Sequence, residues 1–332
     1  MLIQKNIPLK NYTTFRTGGP ADYFCEVETR EDLVECFKWI KRDKLDFFCL
    51  GNGSNLLVND LGFRGVVIKI DNNSTTWSTN RSLSGAGIIL AALVNDARNH
   101  NLGGLEWAFG IPATLGGAVR NNAGAFGYAM ADRVYLVEVF NIQTERFQKV
   151  ERKNCEFSYR KSTFQKEPSW LIWQVELAWA QRDKNEINKN IQNYLDRRRE
   201  KQPLDYPSAG SFFRNPSTDN LEKNTKNELA DRFVREELTK LTNEKNLIAA
   251  EREIRKRINQ SDTLPAGFLI EETGLKGHQI GGARVSNKHA NFIVNTGNAK
   301  TEDAVILASI VKQKVRAKFG IQLHEEVEYV GF

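Results

Sequence analysis

The apolar run 46–50 (DFFCL) leads straight into Gly51-Asn52-Gly53-Ser54-Asn55-Leu56-Leu57-Val58, and this junction restricts the chain more than any other stretch. A strand that ends in two glycines separated by one small polar residue must turn tightly. With no Cβ at Gly51 or Gly53, backbone N–H groups can converge on a phosphate, and Ser54 and Asn55 add side-chain donors. The run is neither a Rossmann fingerprint nor a P-loop, because Leu56 stands where the third glycine of G-x-G-x-x-G belongs and the P-loop lysine is missing. Alone it reads first as a tight structural turn. A second stretch changes the balance: Gly110-Ile111-Pro112-Ala113-Thr114-Leu115-Gly116-Gly117-Ala118-Val119 leads into Asn122-Ala123-Gly124-Ala125-Phe126-Gly127. Two phosphate-sized concavities suit a dinucleotide better than a mononucleotide.

The surrounding periodicities describe an α+β protein. Residues 29–42 place Leu33, Cys36, Phe37 and Ile40 on one helical face behind a Thr29/Asp32 capping box. The runs 46–50, 66–70, 134–140 and 171–179 are β-branched or aromatic and predict strands. Helices are expected over 88–99 and over 191–201, the latter stopped before Pro203. Between Pro216 and Pro265 there is no glycine or proline, and the segment is rich in Glu, Lys and Leu, which predicts a largely helical stretch. Near the end, Leu307, Val311 and Val315 repeat at four-residue steps, with Lys312, Lys314, Arg316 and Lys318 toward the negative end of that helix.

A length of 332 residues predicts two or three structural units. With 40% hydrophobic and 27% charged residues, an ordinary folded globule is expected. The first residues lack the basic and apolar segments of a secretory signal, and nowhere do eighteen apolar residues run together, so a cytoplasmic protein without a membrane partner is expected. The net charge of +6 is spread along the chain without a nucleic-acid-binding signature, and a polyanionic nucleotide ligand is enough to account for it. Cys25, Cys36, Cys49 and Cys155 show no C-x-x-C spacing and are expected to pack as small hydrophobes. Likewise His100, His278, His289 and His324 show no metal-ligand spacing, so no metal is expected.

The runs TTFRTGGPADYF (13–24), LGNGSNLLV, GLEWAFGIPATLGGAV, NNAGAFG, CEFSYRKSTF, SAGSFFRNP, AGFLIEETGLKGHQIGGARVSNKHANFIVN and EVEYVG resemble, in order, the motifs of the UDP-N-acetylenolpyruvoylglucosamine reductase (MurB) family. They cover nearly the whole chain except the charged helical segment. The resemblance implies a vanillyl-alcohol-oxidase (PCMH)-type FAD-binding domain of two lobes and a C-terminal α+β substrate-binding domain. On this chain the lobes would take 1–70 with 319–332 and 71–197, and the substrate domain 198–318 with an insertion at about 217–263. It implies FAD as cofactor, NADPH as co-substrate and an enolpyruvyl ether of a UDP-sugar as substrate. Gly51, Asn52, Gly53, Ser54, Asn55, Leu56, Thr114, Gly117, Ala123 and Gly124 would hold the flavin nucleotide.

Carried over in the same way, Arg160 in SYRKS, Ser211 in AGSFFRNP and Glu326 in the terminal EEVEYVG are the implied catalytic residues. Hydride addition to the β-carbon of the enolpyruvyl ether leaves an enolate. A fixed guanidinium suits that charge, and a positioned hydroxyl can protonate the α-carbon. Ser211 is the candidate general acid, with Arg160 and Glu326 stabilising the enol form. Lys201, Asn215 and Lys276 are candidates for the uridine diphosphate sugar. Three positions depart from the family's usual pattern: Ala113 stands for glycine, Asn121 for methionine, and Glu325 for the proline before the catalytic glutamate, which sets a like charge beside Glu326. The span between Arg160 and Ser211 is too short for the tyrosine-bearing loop of one branch, so the chain resembles the branch without it. The insertion is expected to be a lid or a subunit contact, and a monomer is expected. An FAD-linked alcohol oxidase of the same fold and a basic nucleic-acid-binding protein are the alternatives.

Overall fold

Thr29 starts the first helix, Arg30–Asp43, by the reciprocal device its sequence announces: its hydroxyl accepts from Asp32 N, and the Asp32 carboxylate accepts from Thr29 N. The period-3.6 face of that helix buries Leu33, Cys36, Phe37 and Ile40. In the computed structural model, which describes residues 2–218, 222–239, 247, 251–252, 254–255 and 263–332, this face is the hinge of one large core. On one side lies a four-stranded sheet ordered Ile3–Pro8, Pro20–Val27, Phe63–Ile70, Phe47–Leu50, antiparallel in its first pair and parallel in the other two. On the other lies a five-stranded antiparallel sheet ordered Arg146–Glu151, Val134–Asn141, Trp170–Ala178, Arg81–Gly85, Thr75–Trp77.

Val66 and Ile68 of the first sheet share a buried cluster with Val137, Val139 and Phe140 of the second. Phe37 meets Phe140 with ring centroids 5.6 Å apart, and Arg30 reaches Glu138 at 2.6 Å. Each such ring withdrawn from water contributes about 1.5–3 kcal/mol. The two sheets consequently form one compact unit, composed of Met1–Ala209, Lys300–Glu302 and Glu328–Phe332. Thr301 is held in this unit by its hydroxyl, which donates to Val58 O at 2.6 Å, while its N–H donates to the Asp60 carboxylate at 2.9 Å.

The second unit comprises Gly210–Ala299 and Asp303–Val327. Its sheet is ordered Ser208–Ser211, Phe292–Asn295, Ala283–Val285, Gln279–Ile280. The C-terminal helix Thr301–Phe319 buries Leu307, Val311 and Val315 at the spacing read from the sequence. By compactness the ranges 1–70 and 71–197 fall in one unit, which runs on to Ala209 and takes back Lys300–Glu302 and, at the C-terminal end, Glu328–Phe332. The physical reason for the last is pairing: Glu328–Val330 lies parallel to Leu56–Val58, whereas Glu325 pairs with Phe213.

Within the charged segment expected at about 217–263, the helix Lys223–Thr239 belongs to the second unit, docked through Phe233 on Phe268 (centroids 5.3 Å) and through an Arg232–Glu272 ion pair. The rest of it lies mostly outside the described residues. Cys25, Cys36 and Cys155 are buried, and burial pushes the Cys155 thiol up to about 12. Among the described residues no helix is long and apolar enough to cross a membrane.

Candidate cofactor and active site

The two glycine-rich stretches meet in the first unit. Asn52 Nδ2 donates to the Pro112 carbonyl at 2.8 Å, and a Cβ placed on Gly51 would lie 2.6 Å from Thr114 Oγ1. Gly53, at φ +60°, runs so close to Tyr12 that a Cβ would lie 2.0 Å from its carbonyl oxygen. Only glycine meets both demands, a left-handed backbone and a bare Cα. The turn is anchored through its oxygens: Gly53 O accepts from Thr14 N at 3.1 Å, and Asn55 O from Glu328 N at 2.9 Å. That suits an anion-binding turn, in which the amides are the ligating groups. Ser54 and Asn55 are half-buried beside it. Leu56 plays a different part, since its side chain is buried in a small core with Phe24, Val67 and Val330.

Thr114 caps the helix Leu115–Arg120, its hydroxyl accepting from Gly117 N at 3.3 Å. Ala123 N returns to Ala118 O at 2.8 Å, and Gly124 opens a short hairpin in which Gly124–Ala125 pairs with Tyr128–Ala129. A Cβ on Gly124 would lie 3.3 Å from Nη1 of Arg160. The first unit therefore assembles Gly51, Asn52, Thr114, Gly124 and Arg160 as one linked surface. A cradle whose glycines cannot accept a Cβ, walled by threonine and asparagine, fits a dinucleotide such as FAD.

Arg160 is presented at a backbone cost. Ser158 and Lys161 exchange both backbone hydrogen bonds at 3.1 Å, which leaves Tyr159 and Arg160 as a two-residue turn. Arg160 adopts φ +54°, a conformation costing an L-residue about 1–2 kcal/mol. Three bonds fasten this turn to the glycine-rich stretch: Asn122 Nδ2 to Ser158 O at 2.8 Å, Ser162 Oγ to Arg120 O at 2.5 Å, and Gln165 Nε2 to Asn121 Oδ1 at 2.7 Å. Asn121, a departure from the usual methionine, thus gains a polar partner in Gln165, on the short helix Thr163–Lys166 that follows the arginine turn.

In the second unit, Glu326 N donates to Phe212 O at 2.8 Å, and Glu325 forms an antiparallel bridge with Phe213. Ser211, next to Phe212 and preceded by Gly210 at φ +79°, is thereby brought onto a segment adjacent to that of Glu326. The extra carboxylate, Glu325, is ion-paired with Lys312 of the C-terminal helix, so its charge is met by a cation. Of the substrate candidates, Lys201 is exposed at the end of the helix Lys184–Lys201. Asn215 Oδ1 accepts from Ala266 N at 3.0 Å and caps the helix Ala266–Glu271. Lys276 is ion-paired with Glu271. Asn215 and Lys276 are therefore already engaged with their own unit.

Sequence reading passed over two side chains of this region. Asn122, buried at φ +40°, also accepts from Ala131 N at 3.0 Å and so ties hairpin to arginine turn. Arg198 is buried on the helix Lys184–Lys201, where desolvation lowers its pKa to about 10. Its signal was the spacing Tyr194, Arg198, Lys201, which is one helical face.

Two families match the chain: residues 21–148 match a family described as FAD binding domain, and residues 202–330 match UDP-N-acetylenolpyruvoylglucosamine reductase, C-terminal domain. A UDP-N-acetylenolpyruvoylglucosamine reductase of Caldanaerobacter subterraneus subsp. tengcongensis is 36% identical over 327 residues, covering 98% of this chain and 93% of that protein. The enzyme of the same name from Syntrophomonas wolfei is 37% identical over 332 residues, covering 99% and 95%. Among solved structures, the UDP-N-acetylenolpyruvylglucosamine reductase (MurB) of Thermus caldophilus superposes with a TM-score of 0.73 at 32% identity, covering 99% of this chain and 100% of that one.

Proposed function

The chain belongs to the UDP-N-acetylenolpyruvoylglucosamine reductase family, and on that premise we propose that it reduces UDP-N-acetylenolpyruvoylglucosamine to UDP-N-acetylmuramate at the expense of NADPH, a step in making peptidoglycan precursors. The observation that carries the reading is the fastening of the Arg160 turn to a glycine-rich cradle that fits FAD. FAD bound there would supply the hydride-transfer chemistry between NADPH and the enolpyruvyl β-carbon. Gly51, Asn52, Gly53, Ser54, Asn55, Thr114, Gly117, Ala123 and Gly124 would hold it, largely by backbone, with Leu56 contributing main chain only.

The remaining chemistry belongs to the protein. Arg160 holds the substrate carboxylate and stabilises the negative charge that develops on it as the enolate forms. Ser211 donates the proton to the α-carbon. A serine hydroxyl is a weak acid, so its effectiveness comes from placement against a strongly basic, nearly carbanionic acceptor. Glu326, on the segment paired with Phe212, polarises the enol form, and the Lys312–Glu325 pair keeps the neighbouring carboxylate occupied. Lys201, exposed at the end of its helix, would meet a diphosphate, while Asn215 and Lys276 would act on the sugar nucleotide only together with the contacts they already make. On the same reading we infer a cytoplasmic monomer that has a nucleotide sugar and NADPH as its small-molecule partners and no nucleic-acid or membrane partner. Its mass in solution checks the oligomeric state.

The test separates the two half-reactions. Purified protein should be yellow, be bleached by NADPH without air, and be reoxidised by the enolpyruvyl substrate. Ser211→Ala should keep flavin reduction near normal and slow reoxidation by about 10²-fold or more. Equal reoxidation rates in the variant and the natural protein would remove Ser211 from the acid role, and a flavin that air reoxidises faster than the enolpyruvyl ether does would favour an oxidase instead.

A further inference from the structure

Ser211 ends a strand, and the two residues after it are held by a side chain. The strand Ser208–Ser211 lies beside Phe292–Asn295, and the pairing is carried past its end by Phe212 N, which donates to Asn291 O at 2.7 Å. At Phe213 the Asn291 side chain takes over from the backbone: its Oδ1 accepts from Phe213 N at 3.0 Å, and its Nδ2 donates to Phe213 O at 2.8 Å. One primary amide thus meets both main-chain polar groups of Phe213, as a neighbouring strand would. Further bonds come from the segment of Glu326, where Glu326 N donates to Phe212 O at 2.8 Å and His324 O accepts from Arg214 N at 2.9 Å. Asn291 is 4% exposed and Phe213 1%, so water does not compete for the clamp.

Leucine, of similar size, would fill the space at 291 but leave the N–H and C=O of Phe213 without that partner. An amide that directs both its functions at main chain two residues from Ser211 serves placement. A serine hydroxyl protonates carbon only when it is held against the acceptor. We infer that Asn291 is a positioning residue for the proton-transfer step, acting through the Phe212–Phe213 main chain to fix Ser211. In that step the electron pair of the enolate takes the Ser211 proton at the α-carbon, the O–H bond breaks as the C–H bond forms, and solvent reprotonates the serine oxygen. The inference rests on the reductase reading and deepens it by naming what holds the acid in place. It gives Asn291 no part in flavin reduction, because the enolate forms only after NADPH has delivered its hydride.

Anaerobic rapid mixing of the holoenzyme times the two half-reactions separately. Asn291→Leu should keep flavin reduction by NADPH within about twofold, while reoxidation by the enolpyruvyl ether slows about tenfold and shows a larger solvent deuterium isotope effect. In a Ser211→Ala background the same substitution should change reoxidation by less than about twofold, because the group it positions is gone. Asn291→Asp still accepts from Phe213 N but, when ionised, cannot donate to Phe213 O. It should show the same split, and it is read in place of leucine if leucine gives no flavin-loaded protein. Tenfold slowing in both backgrounds, or equal slowing of both half-reactions, would show a merely structural side chain and overturn the proposal, as would natural reoxidation rates in both variants. A natural protein that NADPH reduces but the ether does not reoxidise would refute the reductase reading and the proposal with it, whereas the preceding outcomes overturn the proposal alone.

Discussion

Gly53→Ala isolates the steric demand of the cofactor turn from the cost of left-handed backbone. Gly127 serves as control, because it too has positive φ (+86°) but a Cβ there would meet nothing within 4 Å. At Gly127 alanine pays the left-handed penalty of about 1–2 kcal/mol, offset by about 0.4–1 kcal/mol from the stiffer unfolded chain, so a loss of about 1 kcal/mol is expected. At Gly53 the same term applies, but the Cβ would begin 2.0 Å from Tyr12 O, and real Cβ atoms do not approach within 3.0 Å. At least the difference, 3.0 − 2.0 = 1.0 Å, must be found by moving main chain on the segment that receives the Thr14 N to Gly53 O bond. Overpacking of that kind costs about 1–3 kcal/mol more, for a total of about 3 kcal/mol. With a urea dependence of about 3 kcal/mol per molar for a chain of this size, the midpoint should fall by about 1 M, against about 0.3 M for Gly127→Ala. Urea unfolding followed by release of flavin fluorescence reads both, and gel-filtered Gly53→Ala should retain less flavin. A Gly53→Ala protein with the midpoint and flavin content of the Gly127→Ala control would refute the claim that this turn requires a bare Cα.

Asn122→Ala removes the bonds to Ser158 O and from Ala131 N, so the Arg160 turn should loosen while the guanidinium itself remains. Steady-state rates should show kcat falling about tenfold or more with flavin content preserved, since small misplacements of a positioned group are costly; an unchanged kcat would mean that the turn holds its shape without Asn122. Because burial raises the Cys155 thiol from 9.0 to about 12, the unfolded chain loses that proton first. Stability should therefore fall as pH rises above about 9, and Cys155→Ala should flatten part of that slope in urea midpoints measured between pH 8 and about 11; an unaltered slope would show the thiol not to be the cause.

Features with a local cause were legible before any coordinates. The Arg30–Asp43 helix follows its capping box and apolar face, and the strand Phe47–Leu50 and the following glycine turn appear where the apolar run stops. Helix Lys184–Lys201 begins well before the expected 191, because its opening turns (KNEINKN) offer only Ile187 to the core and periodicity has almost nothing to register. Strand Phe63–Ile70 likewise starts before the expected 66, since Gly65 reads as a turn although the strand runs through it. The engagement of Asn215 with Ala266 N and of Lys276 with Glu271 could not be read at all: family motifs mark which residues recur, while capping and ion pairing depend on which elements the fold sets side by side.

The least legible features are the ones that break local rules, and among the described residues three of the nine non-glycine residues at positive φ lie around Gly124. Asn122, Phe126 and Arg160 all hold positive φ, although only asparagine among them adopts it readily. Asn122 caps the helix Leu115–Arg120 in the routine way, its N–H donating to Val119 O at 3.0 Å and that of Ala123 to Ala118 O at 2.8 Å, whereas Phe126 and Arg160 lie in two-residue turns beside Gly124. Local preference alone would place glycine at 126 and 160, as the chain does at 53 and 127. A ring and a guanidinium are held there against a penalty of about 1–2 kcal/mol each, and each also contacts its own unit, Phe126 against Tyr194 and Arg160 over Tyr159. Side chains kept for packing would be buried, yet Phe126 is more than one-third exposed. Glycine therefore stands where backbone must approach closely, as at 53, and a side chain bears the strain where a ring or a guanidinium is presented from a tight turn.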